Sequence, residues 1–254
     1  MTPDQRAATL RRFEEHRGAW ERNDLLRELY GEWYRRIAGL LPPAEVGPRI
    51  EIGSGPGFGA RFIPDLVLTD VVAAPWHDAE VAAERLPYAD ASTGALVLFD
   101  VLHHIRAPLE FFAEASRVLG PGGRVILCEP YISPLSWPVY HFVHEEPVNL
   151  KADPFSSEPL SSEDPFDSNQ ALPTLLFGSL RGELSRRFPE LQIVLNEPAA
   201  GYSYPASGGF AHRPLLPRPL WSLLKALDDR LPAPLLRLVA FRLFTVLEKR
   251  TPYP

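Results

Sequence analysis

The sequence predicts an α/β protein built on an open, mostly parallel sheet, and three stretches carry that expectation. In Arg49–Ala60 a short apolar run passes Glu51 and breaks into glycines at 53, 55, 57 and 59. That pattern reads as a strand, a tight turn and the start of a helix, because glycine enters backbone angles that a Cβ resists and lets a ligand approach the main chain. The turn's N–H groups are then expected to face that ligand. Leu66–Thr69 is a second apolar run with Asp70 at its end, where an open α/β sheet places an acid for ribose hydroxyls. Ala95–Phe99, a helical stretch from Pro108 to a Gly120–Gly123 turn, and Arg124–Glu129 then repeat the strand–helix–strand alternation.

In order and spacing, EIGSGPG (51–57), Asp70, ERLPYAD (84–90), LFDVLHHI (98–105) and RVLGPGGRVILCEP (117–130) resemble the class I S-adenosylmethionine-dependent methyltransferases with a type 11 methyltransferase domain. The resemblance covers roughly residues 45–130. It implies a Rossmann-like, seven-stranded, mostly parallel sheet with an antiparallel C-terminal strand and helices on both faces. It also implies that Glu51, Gly53, Ser54, Gly55 and Gly57 hold the amino-acid end of S-adenosyl-L-methionine, that Asp70 holds the ribose, and that Asp100 borders the sulfonium. The product would be S-adenosyl-L-homocysteine. The chain departs from the pattern at Ala82, where relatives commonly carry an Asp for the adenine amino group, so adenine would be read by backbone or water. Pro64 cuts the first helix short, and residues 71–85 are too few for a full helix and strand. Two alternatives stay open. Gly55-x-Gly57-x-x-Ala60 with Asp70 also fits an NAD-dependent oxidoreductase, and the chain could be a non-catalytic methyltransferase-fold binding protein. The Pro-Gly-Gly turn and a closing C-terminal strand favour the methyltransferase.

With 254 residues the chain can bury a full core, and its formal charge of −6 argues against a nucleic-acid partner. The single cysteine, Cys128, sits in an apolar strand and excludes an internal disulfide. No apolar run is long enough for an integral membrane segment, and a cytoplasmic setting is expected.

Residues 1–44 read as an N-terminal helical lid. Leu26, Leu29, Tyr30, Trp33, Ile37 and Leu40 form one stripe, Asn23 is the N-cap, and Leu41-Pro42-Pro43 stops the helix. The stripe either packs on the sheet or covers the cofactor, which would bring Tyr30 to the pocket mouth. Residues 45–130 form the cofactor-binding core. His103 and His104 follow the fourth strand; adjacent side chains should point apart, leaving His104 as a candidate base. No metal is expected, since no cysteine or carboxylate accompanies them at ligand spacing. Residues 131–174, rich in proline, serine and acid, are expected to be a substrate-binding insertion after strand 5. Glu129 and His144 are further catalytic candidates; Tyr131 and Glu145 are candidates for acceptor contact, and residues 164–170 for a second pocket wall. Residues 175–254 should complete the sheet, with a helix through Leu176, Leu180, Leu184 and Phe188, strands at 191–195 and 241–248, and a helical stripe from Leu220 to Leu231 between them. Tyr202 and Tyr204, beside a glycine turn, are candidates for the acceptor site.

Methyl transfer from a sulfonium is a direct displacement, so such a protein chiefly aligns the acceptor and excludes water, adding a base where the acceptor is O or N. The acceptor is expected to be a small molecule or a lipid- or glycan-linked one. Oligomeric state does not follow from the sequence.

Overall fold

The structure, a computed structural model, describes residues 1–144, 146–156, 159–160, 164 and 166–250. Its strands are β1 (Arg49–Ile52), β2 (Leu66–Asp70), β3 (Ala79–Glu80), β4 (Thr93–Phe99), β5 (Leu119–Pro130), β6 (Leu191–Ala199) and β7 (Arg242–Lys249). They form one sheet in the order β3-β2-β1-β4-β5-β7-β6. β7 runs antiparallel to both neighbours, while the pairs from β3 to β5 are parallel. The helices are α1 (Pro3–Arg22), α2 (Asp24–Leu40), α3 (Pro108–Val118), α4 (Trp137–Phe142), α5 (Leu172–Phe177), α6 (Arg181–Arg187), α7 (Ser203–Ala206), α8 (Arg218–Asp228) and α9 (Ala233–Val239). Among the described residues, no helix is long and apolar enough to cross a membrane.

β4 is buried along its whole length, as a central strand covered on both faces must be. Its side chains divide with period two. Leu96 and Leu98 join a cluster with Phe111, Phe112 and Leu176 from α3 and α5. Val97 and Phe99 face Leu29, Trp33 and Ile37 of α2, with Trp221 of α8 in the same cluster. Asn23 caps α2, accepting from Leu26 N–H at 3.1 Å. Its amide also donates to the carbonyls of Ser207 and Gly209. One residue thus starts α2 and ties the helical N-terminus to the loop after α7.

Several local expectations are corrected. No helix follows the glycine turn, only a short 3-10 turn at Gly59–Arg61. A Cβ on Gly59 would stand 2.5 Å from the Glu51 carboxylate, and one on Gly57 would stand 2.7 Å from Trp76. The space beside the turn is already filled by side chains from elsewhere, including Trp20, which stacks on Phe58 at 4.0 Å. The helix drawn through 176–188 is two helices broken at Gly178, where a Cβ would lie 2.4 Å from the Thr174 carbonyl oxygen. The helix before β5 ends at Val118, and Gly120 lies inside the strand. β6 runs on to Ala199 through Pro198, which an edge strand tolerates because its outer side needs no donor. The 201–210 segment, expected as a glycine turn, contains α7.

Candidate active site

The carboxyl ends of β1, β2 and β4 open into a cavity of about 1180 Å³, roofed by α1, α2 and the segments around 140, 166 and 208. At one end stands the glycine turn. Gly53 and Gly55 have φ of 67° and 48°, a region that glycine occupies without strain. The turn's oxygens are held from outside: Trp76 Nε1 donates to Gly55 O at 2.8 Å, and Arg17 donates to Pro56 O at 2.9 Å. Its N–H groups are not free as expected. Ser54, Gly55 and Gly57 donate to Thr69 O, the Asp70 carboxylate and Ser54 O respectively. The turn therefore offers a shaped wall, with the Asp70 carboxylate fixed beside it by Gly55 N–H and Val72 N–H. Burial raises the Asp70 pKa, and those two amides pull it back down.

The middle of the cavity is an ion pair. Asp100, at a φ of 57° just past β4, receives both terminal nitrogens of Arg242, the second at 2.8 Å. Arg242 is wholly buried, and its guanidinium lies 4.9 Å from the Trp33 ring centroid and 4.6 Å from that of Tyr204. The hydroxyls of Tyr30 and Tyr204 each come to 3.2 Å of the guanidinium. Desolvation works against the Arg242 charge; Asp100 together with Tyr204, Tyr30 and Tyr140 outweighs it, so the pKa rises.

The far end is a polar cluster. His103 and His104 sit in a 3-10 turn with ring centroids 4.2 Å apart, so they converge where adjacent residues were expected to diverge. The fold supplies the carboxylate that their spacing in the chain lacks: Glu146 Oε2 lies 3.4 Å from His103 Nε2 and 3.9 Å from His104 Nε2. Ser168 Oγ and Gln170 Nε2 also donate to that oxygen. Behind His103, Glu129 Oε2 meets Nδ1 at 2.7 Å, and Oε1 accepts from Val101 N–H and Leu102 N–H. Burial opposes the His103 charge, but Glu129 and Glu146 outweigh it and push its pKa up to about 10. Burial and the neighbouring His103 charge lower His104 to about 4.

Of the residues expected at the site, Gly53, Ser54, Gly55, Asp70, Asp100, Tyr30, His104, His144 and Tyr204 line the cavity, and Ala82 does so beside Val81 and Ala83. Glu51 stands behind the turn, with its carboxylate accepting from Tyr34 OH at 2.9 Å. Gly57 packs on Trp76. Glu129 reaches the cavity only through His103, since its oxygens are taken by that ring and two amides. Tyr131 packs against the core, and Tyr202 donates to Leu135 O on the outside. Glu145 lies outside the described residues. Gln170 and Phe166, from the stretch expected as a second wall, line the cavity, while sequence reasoning missed Arg242, Glu146, Trp76 and His16 of α1. The signal for Arg242 was a lone cation in the apolar run Phe241–Leu247; Glu146 had only its place in a polar string.

Residues 50–127 match the family described as Methyltransferase domain. Over those residues the chain resembles an S-adenosylmethionine-dependent methyltransferase domain. A Mycolicibacterium smegmatis protein assigned as an S-adenosylmethionine-dependent methyltransferase is 32% identical over 112 residues, 38% of this chain and 42% of the relative. A Mycobacterium tuberculosis protein with the same assignment is 29% identical over 117 residues, 39% of this chain and 42% of that protein. The chain thus spans less than half the length of these relatives. A crystal structure from Galdieria sulphuraria, assigned as a sarcosine dimethylglycine methyltransferase, superposes with a TM-score of 0.50 at 14% identity over 93% of this chain and 98% of that one. That likeness concerns the fold.

The cavity fits the cofactor of such a domain on its own geometry. A Cβ at Gly55 would meet only the Phe13 ring of α1, at an ordinary contact distance of 3.6 Å, so the turn borders the cavity without being crowded from it. Asp70 is tied to that turn with its carboxylate at the cavity wall, where a ribose needs two acceptors.

Proposed function

We propose that the protein transfers the methyl group of S-adenosyl-L-methionine to an oxygen or nitrogen of a small-molecule or lipid- or glycan-linked acceptor. The observation that carries this reading is the continuity of one cavity, from the glycine turn and Asp70 at one end to His104 and His144 at the other. When bound, S-adenosyl-L-methionine supplies an electrophilic methyl on a sulfonium. Gly53, Ser54 and Gly55 shape its amino-acid end and Asp70 takes the ribose, while Val81, Ala82 and Ala83 give the adenine an apolar wall. Arg242 holds Asp100 and the tyrosines 30 and 204 in fixed orientation midway between the two ends. His104, uncharged near neutrality, is able to take the proton that an oxygen or nitrogen acceptor releases. Residues 1–44 act as the lid that excludes water, and residues 131–174 form the acceptor wall. Apolar lining from Val139, Val143 and Phe210 supports a partly apolar acceptor.

Titration calorimetry of the purified protein with S-adenosylhomocysteine and with NAD, repeated on Asp70→Ala, tests the cofactor half. Micromolar binding of the first alone, lost in the variant, is the expected result; binding of NAD alone would turn the reading to an oxidoreductase. Transfer of labelled methyl into an organic extract then tests the acceptor class.

A further inference from the structure

We propose that His103, His104 and Glu146 form a binding site for a divalent transition-metal ion of the zinc class, open toward the cavity. One ligand atom from each lies within 4.8 Å of the other two. In a tetrahedral site with metal–nitrogen and metal–oxygen bonds of about 2.0–2.1 Å, ligand atoms stand about 3.3 Å from one another. The contacts from Glu146 Oε2 to the two imidazole nitrogens, 3.4 and 3.9 Å, are close to such edges. The 3.9 Å contact is too long for a direct hydrogen bond, and the 3.4 Å one is a long charge-assisted pair, well beyond the 2.9 Å at which such bonds peak. Two imidazoles and one carboxylate, with remaining positions facing a substrate cavity, make the donor set of an exchangeable, reactive metal centre rather than of a closed structural one.

The surroundings have the form of a supporting layer. A metal-bound imidazole normally gives its other N–H to a carboxylate, which fixes the tautomer and turns the free lone pair to the ion. Glu129 stands in that relation to His103, itself anchored by the amides of Val101 and Leu102. Ser168 and Gln170 do the same for the Glu146 carboxylate. Gln170 is 2% exposed, and its Oε1 lacks a hydrogen-bond partner among the described residues, as does His104 Nδ1.

The ion's binding stands on this geometry alone; its role rests on the methyl-transfer reading. There, with His104 taken up as a ligand, the ion would replace that imidazole as the group that promotes proton loss: it would hold an acceptor hydroxyl or similar donor as a ligand and favour release of its proton to water in the cavity. Metal-stripped, tag-free protein titrated with Co²⁺ should show ligand-field absorption saturating at one equivalent and displaced by Zn²⁺. His104→Ala and Glu146→Gln should each weaken binding by more than the roughly 10–100-fold expected of Glu129→Gln, while His141→Ala should not change it. Melting curves and S-adenosylhomocysteine titration on each protein identify the folded ones. Absence of saturable Co²⁺ binding in folded wild-type protein, or binding untouched in a folded His104→Ala or Glu146→Gln variant, overturns the site. Co²⁺ binding without S-adenosylhomocysteine binding leaves the site standing and refutes the methyltransferase reading instead.

Discussion

Glu51 ends up as a carboxylate 1% exposed, its Oε1 bonded to Tyr34 and its Oε2 without a partner among the described residues. Desolvation raises its pKa from the ordinary 4.5 to about 7, with the Tyr34 and Ser54 hydrogen bonds acting the other way. Because the folded-state pKa is the higher one, the folded chain binds this proton more tightly than the unfolded chain. The contribution of Glu51 to stability is therefore greatest at low pH and declines as pH rises through the window from 4.5 to about 7. At 1.36 kcal/mol per unit, integration between about pH 5 and pH 8 gives a loss of about 2.5 kcal/mol, an upper figure for a carboxylate that gains any water access. Glu51→Gln keeps the shape and an acceptor for Tyr34 but does not titrate. Any fixed cost of the amide cancels when the variant and wild type are compared at the two pH values. Urea unfolding should show the variant gaining about 2.5 kcal/mol on wild type from pH 5 to pH 8, or about 5–10 °C in melting temperature for a chain of this size. An equal difference between the two proteins at both pH values would refute the reasoning.

Other outcomes follow from single contacts. Asp100→Asn leaves Arg242 buried without its counter-charge and should cost about 3–5 kcal/mol in denaturant unfolding, most of it recovered when Arg242→Met is added. Gly53→Ala combines a φ of 67° with a Cβ 2.6 Å from Val101, so it should lose about 1–3 kcal/mol and, by calorimetry, most of the affinity for S-adenosylhomocysteine. Gly122→Ala, at a φ of 76° but in open space, should cost about 1 kcal/mol and leave that affinity unchanged. Asn23→Ala removes the α2 cap and should cost about 1 kcal/mol, with faster amide exchange at residues 207–209 as the second readout.

What could be read in the sequence was what the chain encodes locally. β1, the glycine turn, Asp70, β4 and the strand after Pro121-Gly122-Gly123 each lie within a few residues of their own signal, and the closing antiparallel strand followed from the resemblance those pieces established. The missing helix after Gly57 was not local: Glu51 and Trp76 occupy the space where its side chains would sit. The polar end of the cavity was hidden for the same reason. His103 meets Glu146 across an intervening strand and two helices, and Asp100 meets Arg242 across most of the chain. Spacing rules that find metal ligands or ion pairs on one helix have no purchase on pairs created by topology. The rule that neighbouring side chains point apart holds in strands, but the 3-10 turn at Leu102–His104 turns both rings to one side.

The place of β7 has a consequence for the order in which the molecule can be made. β7 lies between β5 and β6 and, among the described residues, is the strand through which β6 joins the sheet. A nascent chain ending before residue 242 has β5 with a bare edge, β6 without a partner, and Asp100 without Arg242. Such a chain can assemble the glycine turn and the parallel half, which come first from the ribosome. The cavity between the two ends closes only when the last strand inserts. The Arg242 side of the cavity is therefore complete only in a chain translated through β7, and one cut short would carry exposed strand edges that mark it for disposal.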